Sequence, residues 1–160
     1  EIGVRLVGSE MCIRDSDYVT STFENQLSSG EGGGNILKIG TGTTTAGQLC
    51  YLNTGSEWLP ASASMPSKGG SQLLGVALGT DPASDGMLTK GYARIVSGAQ
   101  VNGSSSVGYP VYVSPTGSEY DFNRPTRSGG FVRVVGYCID THTDSILLYF
   151  NPDPTWVEIS

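Results

Sequence analysis

Charge is scarce in this chain. Asp, Glu, Lys and Arg make up 15% of its 160 residues, against about a quarter in ordinary globular domains. Basic residues are the scarcer kind, nine against fifteen acidic for a net charge of −6, so the positive footprint that phosphate backbones require is missing and nucleic acid is not an expected partner. No run approaches the roughly 18 consecutive apolar residues of a spanning helix, and no membrane partner is expected. There is one histidine, and none of the three cysteines stands in C-x-x-C spacing, which argues against a zinc site or a disulfide framework. What the chain does have is glycine. Its 23 glycines, roughly twice the usual share, lack the three-residue period of collagen. The length suits one domain.

Residues 1–16, EIGVRLVGSEMCIRDS, have neither the uninterrupted apolar stretch nor the small-residue cleavage site of a signal peptide. From Val7 to Ser16 they resemble the translated sequencing-adapter read-through found at the ends of metagenomic reading frames. They are therefore set apart as a non-biological segment, and Cys12 goes with them. Cys50 and Cys138 remain.

Residues 17–34 hold one possible helical stretch, 17–27, and then a polar run ending in Gly32-Gly33-Gly34 that reads as a flexible joint. From 35 to 160 no capped helical period occurs. Short apolar or alternating segments recur between turn residues instead, at 36–39, 49–52, 73–78, 87–96, 109–113, 131–139, 146–150 and 156–159. This pattern predicts a single all-β domain, a small barrel or sandwich.

The sequence also matches itself at an offset of 61 residues. Thr41-Gly42-Thr43-Thr44-Thr45-Ala46-Gly47 lies on Asn102-Gly103-Ser104-Ser105-Ser106-Val107-Gly108, Cys50-Tyr51-Leu52 on Val111-Tyr112-Val113, and Leu73-Leu74-Gly75-Val76-Ala77-Leu78 on Val134-Val135-Gly136-Tyr137-Cys138-Ile139. The spacing from Gly47 to Gly75 equals that from Gly108 to Gly136. Two copies of one β unit, 41–81 and 102–142, are therefore expected. Tyr51 and Tyr112 should share one face of their strands, with Cys50 and Leu52, like Val111 and Val113, on the other. Cys50 stands where the second copy has valine, and Cys138 where the first has alanine. Both read as core fillers. Pro110 cannot donate to a ladder, so its strand should lie at an edge or start late.

No motif carries catalysis. The run from Gly42 to Gly47 has phosphate-loop glycine spacing, but Gln48 and Leu49 follow where Lys and Ser or Thr are needed. Asp140-Thr141-His142-Thr143-Asp144 offers two carboxylates and the sole histidine, yet its place between two β segments predicts a solvated hairpin connection and not a metal site. No serine sits in a G-x-S-x-G elbow. No catalytic, cofactor-binding or metal-binding residue is therefore assigned, and none of these groups is expected as a cofactor. A carboxylate pair assembled by the fold, as in a carbohydrate-active enzyme, stays open as a rival because such pairs are close in space and not in sequence. The stronger lead is aromatic. Trp58, Tyr109, Tyr120 and Phe122 lie in or beside the long polar stretches 56–70 and 116–130, where exposed rings can stack on sugars or anchor a protein.

The order of Ala46-Gly47-Gln48-Leu49-Cys50-Tyr51-Leu52-Asn53, Leu73-Leu74-Gly75-Val76-Ala77-Leu78-Gly79, Gly86-Met87-Leu88-Thr89-Lys90-Gly91-Tyr92, Val134-Val135-Gly136-Tyr137 and the ending Tyr149-Phe150-Asn151-Pro152-Asp153-Pro154-Thr155-Trp156-Val157-Glu158 is similar to C-terminal β domains of tailed-bacteriophage virion proteins, including fibre-like ones. The G-V-A element also looks like small β-barrel capsid decoration proteins. The resemblance covers about residues 35–160. It implies a non-enzymatic virion protein, the end of a tail fibre or appendage that touches the host surface, with other virion proteins and a host glycan or protein as partners. It also implies a homotrimer. The alternative it implies is a decoration protein that stabilises the capsid shell.

Overall fold

The computed structural model describes residues 32–96 and 100–160. The segments 1–16 and 17–31 lie outside the described residues, and with them the possible helix 17–27. Among the described residues twelve strands follow one another: β1 (Gly32–Leu37), β2 (Leu49–Leu52), β3 (Trp58–Pro60), β4 (Leu74–Ala77), β5 (Met87–Val96), β6 (Val101–Asn102), β7 (Pro110–Val113), β8 (Tyr120–Asp121), β9 (Phe131–Val132), β10 (Val134–His142), β11 (Ser145–Phe150) and β12 (Val157–Glu158). A 3-10 turn, Pro66–Lys68, lies between β3 and β4. The fold is all-β, as the alternation predicts: a curled half-barrel sheet in the order β3-β2-β4-β5-β11-β10-β7-β8-β6, with β1 added on β5, and a small second sheet of β12 and β9.

The main sheet reads the same from both ends because the two copies lie head to head. Cys50 faces Gly75 and Leu49 faces Val76, just as Val111 faces Gly136 and Pro110 faces Tyr137. Val76 faces Leu88 and Ala77 faces Met87, while Tyr137 faces Tyr149 and Cys138 faces Leu148. Each of these pairs moves onto its counterpart by the same 61 positions. Turn details repeat as well. Gly47 and Gly108 have φ of 84° and 83°, which an L side chain resists, and their N–H groups donate to the carbonyls of Ala77 and Cys138 at 2.8 and 2.7 Å. Leu52 faces Trp58 as Val113 faces Tyr120, so the second copy carries one extra residue in this turn. In both turns a serine with positive φ, Ser56 and Ser118, stands two residues before the aromatic.

The copies differ in which face they bury. In the second, Val111, Val113, Tyr120, Cys138 and Leu148 belong to the main core. Their counterparts Cys50, Leu52, Trp58, Ala77 and Met87 form a satellite core on the opposite side from Leu49, Leu74, Val76 and Leu88, which face the main core. The switch occurs in β5. Asn35 faces Lys90 and Ile36 faces Leu88, which leaves Thr89 as an extra residue. A bulge of this kind turns the following side chains over, so Leu88 before it and Ala93 and Ile95 after it all enter the main core.

Two expectations need correction, and a third is met in one of its two alternatives. Gly32 to Gly34 are not a joint. They form the first half of β1, where Gly34 faces Gly91 and a Cβ on either would overlap a carbonyl oxygen of the other strand. Pro110 does open its strand late, as expected, but β7 lies between β10 and β8 and not at an edge. Asp140 to His142 are strand, and only Thr143 and Asp144 form the hairpin tip.

The ends of the curled sheet are tied together by the stretch after β3. Ala61 donates to the Leu49 carbonyl and Ser118 to that of Ala61, while Ala63 donates to Ser114 and Phe131 to Ala63. Arg133, 7% exposed, fastens the two copies and the tail. Its Nη1 donates to the carbonyls of Gly69, Gly70 and Gln72 at 2.8, 3.0 and 2.7 Å, and its Nε to that of Asp153 at 2.8 Å.

Candidate functional site

Of the four aromatic residues expected at a recognition surface, two are interior. Trp58 is 1% exposed, fills the satellite core and donates from Nε1 to the Ile39 carbonyl at 2.9 Å. Tyr120 is fully buried, and its hydroxyl donates to the Gly47 carbonyl at 3.0 Å. Burial drives its pKa well above the ordinary tyrosine value. Phe122 is half-buried against the main core. Of the four, Tyr109 alone is exposed, at 62%. The polar composition of these stretches conceals the way their rings turn inward after the positive-φ serines.

A partly exposed row of tyrosines lies elsewhere, on the outer face of β5 and the strands that follow it. Residues directly opposite each other in neighbouring strands share a face. One such row runs across five strands: Gly33 on β1 faces Tyr92 on β5, Tyr92 faces Tyr149 on β11, Tyr149 faces Tyr137 on β10, and Tyr137 faces Pro110 on β7. Three tyrosines therefore stand side by side. The Tyr92 and Tyr149 rings have centroids 5.3 Å apart and are tilted by 41°, and Tyr137 is 49% exposed. Pleating places their strand neighbours Ala93, Leu148, Phe150 and Cys138 in the main core. The counterparts of Tyr137 and Tyr149 in the first copy are Val76 and Leu88, both core residues. The β5 bulge thus presents to the outside, as tyrosine, positions that are aliphatic interior in the first copy.

The rows that flank the tyrosines mix polar groups with Val96 and the buried Leu147. Next along the strands come Arg94, Leu147 and Asp140, then Val96, Ser145 and His142. Arg94 donates from Nε to Ser145 Oγ at 2.8 Å and pairs through Nη2 with Asp144 Oδ1 at 3.3 Å. His142 Nε2 is 3.6 Å from Asp140 Oδ2, too far for a hydrogen bond. Arg94 and residues 141–144 line an open recess of about 450 Å³ at the hairpin tip. At the β1 end of the row, a smaller recess of about 270 Å³ lies between Tyr92 and the glycines 33, 34 and 91. Continuing the β5–β11 register by one step places Lys90 beside Asn151 on the other flank of the row.

No set of three or more His, Cys, Asp or Glu converges as metal ligands among the described residues. Both cysteines are free and buried, in agreement with their reading as core fillers. Burial pushes the Cys50 thiol up to about 12 and the Cys138 thiol up to about 11, so neither supplies a thiolate near neutrality. No protein-family model, curated protein or solved structure matches this chain.

Sequence reasoning missed Tyr92, Tyr137 and Tyr149. Each stands at an alternate position of a readable strand, which is the available signal, but the alternation does not say which face is outward. A one-residue bulge decides that.

Proposed function

We propose that the chain is a non-enzymatic structural module of a tailed-phage virion, the C-terminal part of a tail fibre or related appendage, and that it contacts the host surface through the tyrosine row. The observation that carries this reading is Tyr92, Tyr149 and Tyr137 aligned across three strands of one sheet. Tyrosine gives a large, stiff, amphipathic contact at low conformational cost, and a sheet holds its position more firmly than a loop. The sequence resemblance supplies the virion setting, the other virion proteins as partners and a homotrimeric state. The protonated thiols fit a binding role without a cysteine nucleophile.

The test is adsorption of fluorescently labelled chain to a panel of bacteria, with a solution mass by light scattering on the same sample. A trimer that adsorbs to some strains, and loses adsorption on Tyr137→Ala, supports the reading. A monomer that binds no strain but binds capsid lattices would replace it with the decoration role.

A further inference from the structure

We infer that the peptide bond between Asp153 and Pro154 is a self-cleavage site, with the Asp153 carboxylate as nucleophile and Arg133 as the group that stabilises the developing charge. The inference is independent of what the tyrosine row contacts. An aspartyl-prolyl bond is open to attack by its own side chain. The carboxylate reaches its own carbonyl carbon by closing a five-membered ring, and proline, bound through a tertiary amide, leaves as a basic secondary amine. The chain holds two such bonds, Asp81-Pro82 and Asp153-Pro154, and the fold treats them differently.

Both aspartates close the same kind of turn. Asp81 Oδ1 accepts from the Ala83 N–H at 2.9 Å and Asp153 Oδ1 from the Thr155 N–H at 2.8 Å, which folds each carboxylate over the peptide bond that follows it. At Asp153 the scissile carbonyl oxygen also accepts from Arg133 Nε at 2.8 Å, within the range at which a donor stabilises an oxyanion. That donor is charged, and the bonds of Nη1 to the carbonyls of Gly69, Gly70 and Gln72 hold it in place. Burial lowers the Arg133 pKa and the Asp153 charge opposes the fall, so the guanidinium senses the nucleophile as well as the carbonyl. Pro154 is exposed, and solvent can protonate its nitrogen. At the other bond the Asp81 carbonyl accepts from the neutral Asp85 N–H at 2.8 Å, Oδ2 accepts from the Ser84 hydroxyl at 2.6 Å, and Pro82 is buried.

In the reaction a carboxylate oxygen of Asp153 adds to the Asp153 carbonyl carbon, and Arg133 Nε–H stabilises the oxyanion. As the oxyanion collapses, the C–N bond breaks, its electron pair stays on the Pro154 nitrogen, and that nitrogen takes a proton from water. Water then opens the cyclic anhydride, leaving two carboxyl groups on Asp153 and a free amine on Pro154. Water is the one co-reactant, and nothing is oxidised or reduced. The segment from Pro154 onward carries β12, which pairs with β9, and Trp156, whose ring meets Phe131 edge-on at 6.2 Å. After cleavage it is held by such contacts alone, and its departure uncovers Phe131 and the edge of β9.

The test incubates the whole chain in mildly acidic buffer, folded and in denaturing guanidinium chloride, and follows intact mass. Circular dichroism confirms the fold in the first condition. The products are two fragments whose masses sum to the parent plus one water. Asp153-Pro154 should cleave about tenfold or more faster in the folded chain than in the denatured one, while Asp81-Pro82 gains nothing from folding. Exposure of the tail alone cannot produce a rate above that of the denatured chain. Arg133→Met should lose about tenfold or more of the folded rate, and Asp153→Ala, which keeps the carbonyl that Arg133 meets, should give no fragment. In water labelled with heavy oxygen, one label should distribute over both carboxyl groups of Asp153, as anhydride opening requires. A folded chain that cleaves at Asp153-Pro154 no faster than the denatured chain overturns the inference, as does a folded Arg133→Met variant that cleaves as fast as the parent. If Arg133→Met does not fold, the folded-against-denatured comparison decides by itself.

Discussion

Replacing Arg133 by methionine keeps most of the side-chain volume and removes every donor. Two of the carbonyls that Nη1 serves, on Gly69 and Gly70, are in buried residues. Leaving each without a donor costs about 1–3 kcal/mol. The carbonyls of Gln72 and Asp153 lie in more accessible residues and recover water. Against this stands the desolvation of the guanidinium, which lowers its pKa in the fold and is relieved in the variant. The balance is a loss of about 3 kcal/mol, since buried ionic groups return part of their apparent contribution when replaced by apolar ones. For a chain of this size that lowers Tm by about 6–12 °C. Differential scanning calorimetry measures it, and limited proteolysis should find the 69–72 loop and the tail after Phe150 opened before the rest. Arg133→Lys, with one point-like ammonium, should recover about half of the loss. A methionine variant whose Tm stays within about 2 °C of the parent, with loop and tail still protected, would refute this account of how the copies are fastened.

Gly136→Ala should destabilise strongly, because its Cβ would overlap the Tyr149 carbonyl oxygen. Gly75→Ala, whose Cβ would meet the Trp58 ring at 3.0 Å, should cost about 1–3 kcal/mol, and urea unfolding would rank the two. Trp58→Ala empties the satellite core, at a cost of about 3–5 kcal/mol. Native Trp fluorescence should lose its buried, blue-shifted component and keep the half-buried Trp156. Burial raises both thiol pKa values above the unfolded value of 9.0, so the folded state holds protons that the unfolded chain releases. Their contribution is fully present below pH 9 and is lost as pH rises toward 11 and 12, at up to about 1.4 kcal/mol per pH unit per thiol. Cys50→Val with Cys138→Ala should flatten the alkaline limb of a Tm–pH profile, and an unchanged slope would contradict the assignment.

Strands of four residues or more were legible where their side chains alternate, because a period of two needs that length to show; β1 was missed in its first half, where three glycines carry no pattern. β2 and β5 were read to the residue. β3, β6 and β8 were not, since two or three residues carry no period. The duplication was legible through backbone demands that resist substitution: positive φ at Gly47 and Gly108, and close packing at Gly75 and Gly136. The candidate site was not legible. Thr89, one residue in β5, sends Tyr137 and Tyr149 outward while their aliphatic counterparts face in. Trp58 and Tyr120 were expected at the surface because Ser, Pro and Gly surround them. Those residues instead build the turns that drive the rings into the two cores.

A chain that holds one strand register twice must avoid pairing with itself wrongly as it folds. β2 can offer β10 the same side chain opposite a glycine that it offers β4, so exchange between the copies, or between two molecules, satisfies the ladders. Volume forbids it. The equivalent positions differ, Cys50 from Val111, Trp58 from Tyr120, Ala77 from Cys138 and Met87 from Leu148, and a crossed pairing would leave voids in one core and overlaps in the other. Divergence between the copies therefore protects the folding route. Making them identical would raise the yield of strand-swapped dimers.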